Sequence, residues 1–352
     1  MKYHQNRDIG LFSSAERLTE LEALGDPLQK LLSHVDFEFF RPRLEAVLYK
    51  TDHGMKGGRP PFDPVFMFKV LVLQRLYNLS DDAAEYQIKD RLTFMRFLGL
   101  DYAGRVPDSK TIWYFRNELQ KHDLVKLLFD QLTWDLEERG IIAKQGQIVD
   151  ATFVEAPRQR NTPAETETIK AGEVPAPWQD TPKRLEQKDV DARWAKKGEA
   201  THYGYKNHIA CDSKSKLITQ YAVTHAAAHD STTLDELLAE DVAHGQKLYA
   251  DSAYRSAGIE EKLVQLGIES KVHEKGARNR ALTAAQVARN KKKSRVRARV
   301  EHIFGFMTQA MGGLVVRARN LARNGAVIGM INMVYNLCRV VQLKQKLVVA
   351  TT

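Results

Sequence analysis

The chain has 352 residues, 43% hydrophobic and 28% charged, enough for a sizeable core and for two domains. Lys and Arg number 53 against 44 Asp and Glu, a net charge of +9, which points to a polyanionic partner, nucleic acid first. Cys211 and Cys338 lack a Cys neighbour at ligand spacing, which excludes a cysteine zinc site and a disulfide framework and fits a reducing cytoplasm. The start MKYHQNRDIG has no signal-peptide core, and no apolar run reads as long enough to span a bilayer, so no membrane role is expected.

Residues 1–58 read as mainly helical, with mixed apolar stripes over 15–24 and 27–40. The glycines and prolines of 54–64 break any helix, and Lys56 and Arg59 make that loop basic. Pro64 opens an apolar helix, VFMFKVLVLQRL, expected at the centre of a helical domain. Ser80 has the chemistry of an N-cap for a short helix, a second helix spans 92–100, and Pro107-Asp108-Ser109 caps a third running to Gly140. This arrangement resembles a helix-turn-helix, with Lys110 and Arg116 as candidate DNA contacts. An ordinary bundle with a solvated basic face is the other reading.

At Gly146 the pattern changes. Residues 147–154, QIVDATFV, read as a buried strand with Asp150 in its middle. A buried carboxylate costs roughly several kcal/mol unless it is paired or bound to a metal. Residues 155–200 carry five prolines and two tryptophans, Trp178 and Trp194, and read as an excursion from the core. A β-hairpin follows around Asp212–Ser215, then a helix over 230–242. A strand over 247–255 bears Asp251 toward its end, a helix spans 259–266, and a fifth strand covers 268–272.

The order β-β-β-α-β-α-β-α matches a ribonuclease-H-like fold, three antiparallel strands followed by two parallel additions. The fold class expected is therefore mixed α/β: a ribonuclease-H-like catalytic domain with an inserted segment, preceded by an all-helical domain. The boundaries expected are 1–140, 141–320 with the insertion at about 155–200, and 321–352 as a C-terminal helix. That last helix, apolar over about 325–347, reads as a clamp on the core or a dimer contact.

Residues 271–299 are dense in Lys and Arg, a run that reads as flexible and suited to phosphates. They lead into 294–311, where Val296, Val300, Ile303, Phe304 and Met307 have amphipathic-helix spacing. Arg297, Glu301 and Thr308 share a stripe beside the apolar one. Alone, Arg297 and Glu301 would read as an ion pair on a surface helix. In the proposed fold Asp150, Asp251 and Glu301 converge. Such a trio can hold two Mg²⁺ ions about 3.5–4 Å apart, with Mn²⁺ as a substitute, because hard cations select carboxylate oxygen.

IVDATFV, YGYKNHIACDSKSKLI, THAAAHDS, YADSAYRS and RVRARVEHIFG resemble, in order, the DDE transposases of bacterial insertion sequence family five. GRPPFDPVFMFKVLVLQRLYNLSDDAAEYQI resembles that family's N-terminal domain. The resemblance covers about residues 40–340 and implies that Asp150, Asp251 and Glu301 are the catalytic triad. It also implies double-stranded DNA as partner (terminal inverted repeats and target) and at least a homodimer to hold two ends. The family signature around the glutamate is Tyr-(2)-Arg-(3)-Glu-(6)-Lys. Arg297 and Glu301 match it, but Ser294 stands where Tyr is expected and Thr308 where Lys is.

Candidate DNA contacts near the triad are Arg297, Lys293, Arg295 and Arg299, with Gln309 as a further stand-in for the missing Lys. Tyr205 and Lys206 either approach DNA or pack at a strand start. Trp178 and Trp194 either stack on a flipped base or anchor the inserted segment. His225 and His229 are spaced for a metal on a helix, or sit in a turn that supports the site. Two rival functions remain at this stage, a metal-dependent nuclease without strand transfer and a DNA-binding regulator with a decayed catalytic domain.

Overall fold

The computed structural model describes residues 13–48, 60–238, 245–276 and 280–351. Lys56, Arg59, Arg278 and the end of the helix expected over 230–242 lie outside the described residues.

Among the described residues, the chain before the first strand is helical. It comprises α1 (Ser13–Ala23), α2 (Pro27–His34), α3 (Arg41–Leu48), α4 (Pro64–Leu76), α5 (Asp81–Asp90), α6 (Leu92–Leu98), α7 (Ser109–Lys121) and α8 (Leu124–Glu138). The caps are those the residues call for. Asp63 accepts from Phe66 N at the start of α4, Ser80 from Ala83 N at α5, and Asp108 from Thr111 N at α7. Most of α4 is buried, as its apolar run requires. The single helix expected over 110–140 is instead two. The chain turns at Asp123, whose φ is +49°, so that Leu124, Leu128, Phe129 and Leu132 face the core from a new axis.

The mixed sheet opens with β1 (Gly146–Glu155). Between it and the hairpin lie α9 (Pro163–Lys170), α10 (Ala176–Gln179), α11 (Pro182–Leu185) and β2 (Arg193–Lys197). The hairpin is β3 (Ala200–Asp212) and β4 (Ile218–His225), and Asp212 holds its turn by accepting from the Lys214 and Ser215 amides. Then come α12 (Leu234–Leu237), β5 (Lys247–Tyr249), α13 (Ala257–Gln265) and β6 (Glu269–Ser270). The strand order is β4-β3-β1-β5-β6, with β2 sharing the outer edge of β3. β1, β3 and β4 are antiparallel, and β5 and β6 add in parallel, as the element order predicts.

Two further boundaries differ from expectation. The fourth strand stops at Tyr249 because the Asp251 carboxylate accepts from Ala253 N and starts a 3-10 turn. The helix expected over 294–311 is interrupted: α14 (Ala284–Arg297) ends, residues 298–300 turn, and α15 (Glu301–Gln309) follows. The second half of the run read as flexible is thus helical, started by a Thr283–Gln286 capping box.

α16 (Leu321–Thr351) is longer than expected, and Leu321–Lys346 is long and apolar enough to cross a membrane by length and composition. That corrects the sequence reading. In the fold, 72% of that window is buried, and polar side chains fasten the helix to the sheet. Asn332 and Asn207 exchange hydrogen bonds at 2.7 and 3.0 Å, and Asn336 bonds both backbone groups of Ile218. Such pairs suit a core helix, since each buried amide finds a partner.

Strand alternation sorts the core. Ile148 and Ile209 face a large cluster that also takes in α4, α8, α15 and α16, so the helical part shares its core with one sheet face. Val149, Ala210 and Leu248 face a smaller cluster with Leu234, Leu237, Tyr254 and Leu263. At the end of β1 the chains approach closely. Gly204 has φ +143°, and a Cβ there would collide with the Val154 carbonyl oxygen and lie 2.7 Å from Ala156 N. Gly204→Ala is expected to cost at least about 2–4 kcal/mol, from the strained backbone and the overlap together. A urea midpoint equal to that of the unchanged chain would contradict this.

Candidate active site

Asp150 sits four residues into β1, on the same face as Ile148. The parallel pairs Gln147↔Leu248 and Ile148↔Tyr249 point Asp150 toward the level of Asp251, which lies two residues beyond the end of β5 as the cap of the 3-10 turn. Across the same face comes the turn between α14 and α15. It is built on i→i−3 bonds, Val300 N to Arg297 O at 3.0 Å and Glu301 N to Ala298 O at 3.2 Å. Val300, Ile303 and Met307 anchor it in the core. The tighter winding lets Arg297 turn inward while Glu301 stays exposed as the first residue of α15.

Arg297 Nη1 donates to Asp150 Oδ2 at 2.8 Å, and Ala151 N donates to Oδ1 at 2.9 Å. Even so, burial pushes the Asp150 carboxyl up to about 6, with the charges of Asp251 and Glu301 adding to the rise. The three acids therefore share one field, and Arg297 is the charge that balances it. Asp251 spends one oxygen on Ala253 N at 2.8 Å. Glu301 has no side-chain partner among the described residues, and the N-terminus of α15 favours its charge.

The donor chemistry fits a hard divalent cation: carboxylate oxygens only, on a face where like charge already opposes ionisation. Among the described residues, however, no three His, Cys, Asp or Glu side chains stand as a ready-made ion cluster.

The remaining candidates divide by surroundings. Lys110 and Arg295 are exposed, and Trp194 is half exposed beneath Arg158, 5.3 Å from its ring. Lys293 donates to Val272 O at 2.8 Å, and Arg299 to Ser213 O at 2.5 Å. Lys206 is tied at 2.7 Å to both Ala228 O and Asp230 Oδ1. Two candidate DNA contacts are internal. The Tyr205 hydroxyl donates to Asp189, and the Trp178 indole donates to Glu165 at 2.7 Å; both residues are 0% exposed. Arg116 grips Asp81 with two bonds, 2.5 and 2.8 Å. For Tyr205 and Trp178 a distant partner satisfies the polar tip, so the side chain packs rather than projects; Arg116 is part-buried and lines a cavity.

His225 ends β4, while His229 caps the turn that follows, accepting from Ser231 N. Ser294, in the place of the signature Tyr, meets His273 Nε2 at 3.2 Å, and Thr308 bonds back to its own helix at Phe304 O. The sequence reading missed His273. It lies three residues beyond β6, its amide on Ala250 O, in the field of Asp251 and Arg297. A histidine just after a short strand was the available signal.

Behind β1, His208 pairs across strands with Ala151 and is fully buried, with Nε2 on Thr224 Oγ1 at 2.8 Å and Nδ1 unpartnered. Burial pushes it down to about 4 from 6.5. Its folded value lies below the unfolded one, so stability is full above pH 6.5 and is lost as pH falls toward 4. The loss is roughly 3 kcal/mol. Urea midpoints at pH 7 and 4.5 should fall further apart in the unchanged chain than in His208→Gln; equal falls would reject this account.

Residues 142–337 match the family model described as the transposase DDE domain, and residues 16–118 match a transposase domain, DUF772. Among solved structures the chain is similar to a piggyBac transposase synaptic complex with hairpin DNA. The identity is 12% and the TM-score 0.42, over 90% of this chain and 75% of that one.

Proposed function

The chain belongs to the DDE-domain transposase family, and from that premise we propose that it moves an insertion sequence of family five. In this reading it binds the terminal inverted repeats, cleaves DNA at the ends, and joins the 3′-hydroxyls to target DNA. What carries the reading is Asp150, pointed toward the level of Asp251, facing the Glu301 turn and held by Arg297. Asp150, Asp251 and Glu301 would hold two Mg²⁺ ions, or Mn²⁺, which when bound supply Lewis acidity to the phosphodiester and its attacking oxygen.

The chain's own residues do the rest. Arg297 keeps Asp150 ionised and aimed. Lys291, Lys292 and Arg295 are exposed along α14, and that basic face would lie on the DNA backbone. Residues 1–140 would hold the ends and dimerise, 141–320 would carry the chemistry, and 321–352 would lock the sheet. Two ends held together require at least two chains.

The test is the full chain with a duplex bearing the element's own pre-cut ends, a plasmid target and Mg²⁺. Joined products are expected. Cleavage without joining would leave a nuclease, and binding without either would leave a regulator.

A further inference from the structure

Away from the acids, five guanidinium groups line one cavity of about 240 Å³. Arg75 comes from α4, Arg116 from α7, and Arg317, Arg319 and Arg323 from the segment entering α16. Asp81 is the single carboxylate among the lining residues, and Arg116 already holds it bidentately. Arg75 is the anomaly. It is 8% exposed, yet its hydrogen bond is one long contact of 3.5 Å, from Nη2 to Leu79 O. Burial, with Arg116 and Arg317 nearby, pushes it down to about 9. Asp81 is the carboxylate that acts on Arg75, and its oxygens are spent on Arg116, so Arg75, Arg116 and the nearby Arg317 share one counter-charge. A buried cation so weakly compensated is costly, and a built cavity around one points to an anion that completes it.

We propose that this cavity seats a backbone phosphate of the bound DNA, clamping the helical part and the entry to α16 onto one strand. The planar forks of Arg75 and Arg323 suit phosphate oxygens, and Arg323 has no side-chain partner among the described residues. Arg317 and Arg319 are braced from behind, by Asn78 Oδ1 at 2.8 Å and Glu186 O at 2.9 Å. Trp113, 47% exposed, stands at the rim as a face for a sugar or base. Position favours DNA over a free anion. Val316, next to Arg317, bonds to Glu155 O at 2.9 Å, five residues beyond Asp150. Five strand residues span about 17 Å, the rise of about five base pairs, so one duplex can reach both places.

This proposal rests on the reading of the chain as a DNA end-processing enzyme, and the experiment separates the two. The full-length chain, Arg323→Ala and Arg317→Ala/Arg323→Ala are titrated with an end duplex over a range of salt. Methylphosphonate is scanned one position at a time through that duplex. The expected result is roughly tenfold weaker binding for the double variant, with the salt slope reduced by about 1 per lost contact. One neutralised phosphate should weaken the unchanged chain and leave the double variant unaffected. If the unchanged chain cleaves ends while both variants bind with its affinity and slope, the cavity proposal falls and the function stands. If inorganic phosphate raises the melting temperature of the unchanged chain but not of the variants, and DNA binding is equal in all, the ligand is a free anion and the DNA source is overturned. Arg323 is exposed, so its single variant tests the idea without disturbing the core.

Discussion

Asp150→Asn is expected to abolish cleavage of an end duplex, by at least about 10³-fold, while leaving binding within roughly threefold. The asymmetry follows from where the carboxylate sits. It is largely buried on β1, reaching Arg297 on one side and the Asp251–Glu301 field on the other, and is not among the exposed cations that would meet phosphates. In the proposed site, losing its charge would remove an anionic metal ligand but no phosphate contact. The same site predicts the stability of the variant. Because burial and like charge raise the carboxyl to about 6, carrying its charge at pH 7 costs the fold stability, and a neutral amide of the same shape should cost little stability or none.

Glu301→Gln provides the control on the opposite side. Glu301 is exposed and bonds no other side chain among the described residues, so its variant should melt with the unchanged chain and still fail to cleave. Mg²⁺-dependent cleavage retained by either variant would remove these acids from the chemistry. Loss of binding in parallel with cleavage would mean that they shape the DNA surface instead.

Much of this arrangement was legible in the residues. Asp150 stands out because a carboxylate inside QIVDATFV has to be accounted for, and the strand order follows from period-2 runs broken by turn chemistry such as Asp212–Ser215. What escaped was set by partners distant in sequence. Tyr205 and Trp178 look alike whether they face DNA or the core. Asp189 and Glu165 decide the matter, and no local pattern links them. Arg116 is claimed by Asp81 from another helix, and the same folding leaves Arg75 facing a cavity that its own segment, VLQRL, does not foretell. The turn at 298–300 was hidden for a different reason. Its residues have helical propensity and their apolar spacing is helical, so only packing against the sheet shows that the winding tightens there.

Arg297→Ala should move the acidic limb of the cleavage rate to higher pH. Arg297 donates the 2.8 Å bond to Asp150 and is foremost among the groups opposing the rise in its carboxyl, so without it that carboxyl climbs above about 6. An acid of raised folded pKa stabilises the fold below its unfolded value of 3.8, and that contribution is lost as pH rises through the folded value. Removing Arg297 shifts the end of that window upward. At pH 7 a larger share of Asp150 is then neutral and cannot act as a ligand. Cleavage at pH 7 should fall by roughly 10- to 100-fold and recover in part by pH 8.5, as befits a buried pair that has lost one partner. Arg297→Lys keeps the charge but not the fork, and should place the limb between the two. The measurement is the cleavage rate from pH 5.5 to 9 at saturating DNA and Mg²⁺. A uniform loss at every pH, with the limb unmoved, would mean that Arg297 acts on the phosphate itself and not through Asp150.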